Sequence, residues 1–94
     1  MPGIYSNMVT KRLTVANPTG LHLRPAGVLA KEAAAYPCEI YIRRKEETVN
    51  AKSVLKLMKA GIKCGDRIEL CCDGREEECA AKTLARLIES ELDF

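Results

Sequence analysis

The chain is poor in several things that narrow its chemistry. It has one histidine in 94 residues and no C-x-x-C pair, so no zinc pattern can be assembled from its five cysteines. No apolar run approaches the roughly 18 residues that a membrane helix needs. The net charge of +2 is too small to argue for nucleic acid. The first residues lack an apolar signal core, so the expectation is an unsecreted, cytoplasmic protein with reduced thiols. Chain length fits one small domain, and an apolar content of 47% supplies an ordinary core.

What is present alternates between two periods. Residues 1–7 show neither and read as a loose lead-in, with Met8 a second possible start. Residues 9–16 alternate, with Val9, Leu13 and Val15 on one face. Asn17-Pro18-Thr19-Gly20 is a turn cluster. Residues 23–35 place Ala26, Leu29, Ala30 and Ala33 on a helical stripe, stopped by Tyr36-Pro37. Residues 38–43 and 47–52 alternate around a polar hairpin at 44–46. Ser53 is an N-cap for a short helix over 54–59, closed by Gly61.

Past the Gly65-Asp66 turn, residues 67–72 alternate, with Ile68, Leu70 and Cys72 inward and Cys71 outward. Asp73-Gly74 opens the last helix, because Asp73 and Glu76 have capping-box spacing. Its buried stripe is Leu84, Leu87, Ile88 and Leu92. The element order is βαββαβα. Strands with one apolar face predict an α+β fold: an open-faced, four-stranded, mostly antiparallel sheet with three helices on one side. Residues 8–94 form that one domain, taken to be monomeric.

The chemistry gathers at Gly20-Leu21-His22-Leu23-Arg24-Pro25-Ala26. His22 falls at the start of a helix, and Pro25 suits a first turn. The backbone amides of Leu23 and Arg24 are free to meet an anion there. The Arg24 guanidinium adds a charge-assisted donor. A neutral imidazole is a good nucleophile near neutral pH. These groups suit a phosphoryl group carried on His22, because phosphoryl transfer needs mainly positioning and charge stabilisation. A lone histidine is more often structural, and Arg24 read blandly is a solvated charge. A cation at a helix start is unfavourable, however, and a bound anion would relieve it.

The short helix carries Val54, Leu55, Leu57 and Met58 within five positions, more apolar groups than one face can bury. Leu57 reads as core; Val54, Leu55 and Met58 divide evenly between burial under a loop and a docking surface. Ser53, most simply a cap, would hold a phosphate comfortably at that helix start.

These two stretches resemble the two signatures of the HPr family, the histidine-containing phosphocarriers of the bacterial sugar phosphotransferase system. Residues 20–26 look like its active-site motif, and Asn50-Ala51-Lys52-Ser53-Val54-Leu55-Lys56-Leu57-Met58 looks like the stretch around its regulatory serine. The resemblance runs over about residues 8–92. It implies that His22 accepts a phosphoryl group, through Nδ1, from phosphorylated Enzyme I and gives it to an Enzyme IIA domain. Arg24 matches the arginine that steadies the phosphate. Ser53 matches the serine modified by HPr kinase/phosphorylase, a change that weakens Enzyme I docking and creates binding to a transcription regulator. No metal or cofactor is implied. Leu23 stands where a small residue or threonine is common, and Lys56 and Lys59 make the docking helix unusually basic.

Three other readings compete. The nitrogen-branch relative of HPr shares both motifs. A purely regulatory adaptor would act through Ser53 alone, but would have no use for a nucleophile. A Cys–His hydrolase needs a cysteine beside His22, and none is close in sequence.

Overall fold

The computed structural model describes residues 8–90, so the lead-in expected over 1–7 and the stripe residue Leu92 lie outside the described residues. The elements are β1 (Val9–Thr14), α1 (Leu23–Ala34), β2 (Glu39–Arg44), β3 (Glu47–Asn50), α2 (Val54–Ala60), β4 (Arg67–Asp73) and α3 (Glu77–Ile88). The four strands form one sheet in the order β1-β4-β2-β3, and every neighbouring pair is antiparallel. Its late-coming β4 sits between β1 and β2, so the sheet closes only when distant segments meet.

Register explains the two faces. Leu13 lies opposite Ile68, and Leu70 opposite Ile42, so strand alternation sends one continuous apolar surface inward. The helices cover that side: α1 packs on α2 and α3, α3 on β1 and β4, and α2 on β3. Leu29, Leu57, Leu84 and Ile88 meet Val15, Ile40, Ile42 and Leu70 in the core, all essentially without solvent contact. Leu87 is only partly buried against it. Among the described residues no helix packs over the opposite face, with Thr10, Arg12, Arg43 and Glu69.

Three expectations need correction. The first concerns the start of α3. Asp73 remains in β4, paired with Glu39, and the helix begins at Glu77 after an N-cap Glu76 at φ +63°. Asp73 is therefore not the N-cap residue. Instead Glu77 Oε1 accepts from the Gly74 amide at 2.8 Å, which fastens the turn to the first helical residue. Gly74, at φ +132°, lies so close to Cys38 that an added Cβ would stand 3.1 Å from its Cα.

The second correction is Cys71. It faces away from the core, as alternation requires, yet it is fully buried. Thr10 and Tyr41 flank it across the sheet. The Thr10 hydroxyl and the Arg43 guanidinium close over its sulfur at 3.9 and 3.7 Å. Long neighbouring side chains thus make a lid that strand period alone does not reveal.

The third is strand length. β1 stops at Thr14 because Val15 turns to exchange bonds with the 65–66 turn: its amide donates to Asp66 O, and its carbonyl accepts from Gly65 N. β3 stops at Asn50, and the Ala51 amide donates to Ile40 O. Asp66 then serves as a post. Its carboxylate accepts from Lys63 N at 2.8 Å and from Arg44 Nη1 at 2.9 Å. The Lys63 amide first, and Arg44 beside it, hold that carboxyl below its ordinary range.

Candidate functional site: an exposed histidine at a helix start

Buried Asn17 builds the approach to α1. Its Oδ1 accepts from the Thr19 amide at 3.1 Å and the Thr19 hydroxyl at 2.9 Å, while its carbonyl accepts from Gly20 N. Gly20 sits at φ +68°, and a Cβ there would be 2.5 Å from Ile62 O. Leu21 N then donates to that same Ile62 carbonyl at 3.0 Å, and the Leu21 side chain is buried. The turn cluster is therefore a clamp between the loop after β1 and the loop after α2. Sequence reasoning identified the turn but missed this anchoring role; the Asn-x-x-Gly spacing was its only local signal.

His22 follows as the N-cap of α1, extended at φ −91° and ψ −156°. Its carbonyl accepts from Ala26 N at 2.8 Å, its side chain makes no capping bond, and it is exposed. Pro25 and Ala26 are buried just beyond, so the first turn is pinned while the imidazole stands in solvent. Helix geometry leaves the Leu23 and Arg24 amides without intrahelical acceptors. Arg24 is exposed on the same turn, and no acid is present in that turn to balance it. The end of α1 is thus electropositive from both backbone and side chain.

Two bonds set α2 against α1. Lys52 Nζ donates to Tyr36 O at 2.8 Å, just past the end of α1, while Ile62, just past α2, holds Leu21. The two helices therefore run in opposite directions, and the closing end of α2 lies beside the start of α1. Ser53 caps α2, its hydroxyl accepting from Lys56 N at 3.2 Å. Gly61 ends the helix in the left-handed conformation at φ +65°. Arg44 Nη1 binds the Gly61 carbonyl at 3.0 Å, a cation where a helix end favours one.

Leu57 is fully buried and Met58 half-buried against the core, whereas Val54 is 37% and Leu55 70% exposed. Lys56 and Lys59 are exposed beside them. α2 therefore offers solvent an apolar patch bordered by lysines. No group of three or more potential metal ligands occurs among the described residues, and none of their helices is long and apolar enough to cross a membrane.

An exposed nucleophile on an electropositive helix start, with an apolar patch on the adjoining helix, suits a group handed between proteins. The comparisons agree. The family model described as "PTS HPr component phosphorylation site" matches residues 9–90. The chain is 39% identical over 83 residues to the phosphocarrier protein HPr of Borreliella burgdorferi, covering 88% of this chain and 96% of the relative. It is also 39% identical over 84 residues to the HPr-like protein Crh of Halalkalibacterium halodurans, covering 89% and 100%. A crystal structure of HPr from Bacillus anthracis superposes with a TM-score of 0.84 at 35% identity, covering 87% of this chain and 98% of that one. The chain belongs to the HPr family of phosphocarrier proteins of the phosphotransferase system.

Proposed function

We propose that this chain relays a phosphoryl group on His22, taking it from phosphorylated Enzyme I and passing it to an Enzyme IIA domain in sugar uptake. The observation that carries this reading is the exposed imidazole at the N-cap of α1, with its side chain uncommitted to capping. In the acceptor step Nδ1 attacks phosphorus. An N–P bond forms as the bond to the donor breaks, and the ring proton moves to the departing donor group. The Leu23 and Arg24 amides and the Arg24 guanidinium face the dianion that results. The site is open, so the donor and any metal ion arrive with the partner, and the chain acts as a carrier and not a catalyst. Val54, Leu55 and Met58, with Lys56 and Lys59 around them, form the docking surface, which suits an acidic partner with an apolar centre. We take the carrier to act as a cytoplasmic monomer built on residues 8–94.

A phosphate on Ser53 would sit at the start of α2 and place a dianion beside this patch. Modification there by HPr kinase/phosphorylase would repel an acidic partner, and would give a transcription regulator a new charge to recognise. The likeness, at 30% identity and a TM-score of 0.69, to the structure of Crh, described as the Bacillus subtilis catabolite repression HPr, favours this second, regulatory use as an adaptor; a nitrogen-branch phosphocarrier is the other alternative.

Incubation with phosphoenolpyruvate and Enzyme I tests the relay, with acid-labile phosphate as the readout. The wild-type chain takes up label and His22→Ala does not. Label retained by a folded His22→Ala variant refutes the assignment.

A further inference from the structure

The relay leaves the uncovered face of the sheet without a task, yet most of its charge lies at one end. Arg12, Glu69 and Arg43 form one cross-strand row on β1, β4 and β2. Glu69 lies 3.4 Å from Arg12 Nε and 3.3 Å from Arg43 Nε, so a single carboxylate serves two guanidiniums. Its approach to Arg43 is ionic only, because Arg43 Nε is buried and makes no hydrogen bond. Lys45, in the hairpin turn just after β2, and Arg67, the first residue of β4, are both exposed and line the same recess beside that row. Among the described residues neither forms an ion pair, and like charges on one recess repel.

Lys45 is unusual in another respect. It occupies the left-handed region at φ +56°, which glycine or asparagine would adopt at less cost. A cation is kept at a turn position that local geometry disfavours for it. Arg12, Arg43, Lys45, Arg67 and Glu69 together border a recess of about 510 Å³. Adjacent strands are about 4.8 Å apart and successive same-face rows about 7 Å apart, so two anionic groups at that spacing would meet both the row and the Arg67 and Lys45 pair beside it.

We propose that this recess binds a small molecule carrying two phosphate groups. One group meets the outer N–H donors of Arg12 and Arg43; the other lies between Lys45 and Arg67 and removes their repulsion. The sheet separates this site from His22, since the helices pack on its other face. The recess holds four cations against one carboxylate within about 510 Å³, which suits a small anionic ligand.

Amide shifts of the labelled full chain test this, with propane-1,3-diol bisphosphate, whose two phosphates can stand about 7 Å apart, added at constant ionic strength. Saturable shifts should appear around residues 12–14, 43–45 and 67–69, with affinity at least about tenfold above that for inorganic phosphate. The double variant Lys45→Glu/Arg67→Glu should lose at least about tenfold in affinity, while His22→Ala binds as wild type. Lys45→Gly should weaken binding while its melting temperature holds or rises, since glycine relieves the backbone cost. Shifts confined to the start of α1, an equal response to chloride, or wild-type affinity in the folded double variant would each overturn the site.

Discussion

At the scale of single residues, position in the backbone matters more than side-chain chemistry. Gly20 is the clearest case. Its positive φ and the Ile62 carbonyl 2.5 Å from a hypothetical Cβ leave no room for another residue. Gly20→Ala should lower stability by at least about 2 kcal/mol, from the left-handed penalty and the displaced loop together. For a domain of this size that is a melting-temperature loss of about 10 °C. Calorimetry checks it, and an unchanged melting temperature would show that the clamp yields easily. Ser53 and Gly61 were legible at this scale because each satisfies a local rule. Glu76 was not: its left-handed cap follows from where β4 ends, and that is settled by pairing with Glu39.

Among the elements, α2 serves the core and, in the function proposed above, also carries the docking surface. One face of a seven-residue helix delivers Leu57 to the core and half-buries Met58, which leaves Val54 and Leu55 exposed. Leu55, at 70% exposure, contributes little to folding. Leu55→Glu should therefore leave the melting temperature within about 2 °C of wild type, since exposed substitutions cost at most about 0.5 kcal/mol. The same change should slow phosphotransfer from Enzyme I about tenfold through weaker docking, without altering the chemistry at His22. Parallel thermal and transfer-rate measurements separate the two. Transfer at the wild-type rate would remove Leu55 from the docking surface. The sequence showed the excess of apolar residues in α2, but which of them met solvent depended on where α1 and the sheet lay.

For the molecule as a whole, burial sets the response to alkali. Cys72 is fully buried at the centre of the sheet, and loss of water around it, followed by the nearby Cys38, pushes its thiol from an ordinary 9.0 up to about 12. Burial raises Cys38 as well. Raised folded values mean that the unfolded chain gives up these protons first. The stability they contribute is complete below about pH 9 and is lost as pH rises towards about 12. Denaturant titrations over that interval should show a falling midpoint. Cys72→Ala, though less stable at neutral pH, should fall less steeply. Parallel slopes in the two proteins would mean that other groups control the alkaline limit.

The sequence by itself determined the order of elements, the face each presents and the place of His22 at a helix start, because periodicity, caps and turn residues act over a few positions. Only the tertiary structure decided the rest. Insertion of β4 between β1 and β2 joins residues far apart in the chain, and from that follow the lid over Cys71, the late start of α3 and the clamp from Leu21 to Ile62. The charged row on the uncovered face has the same origin. Register across strands is a long-range property, and no local pattern states which arginine will face which carboxylate.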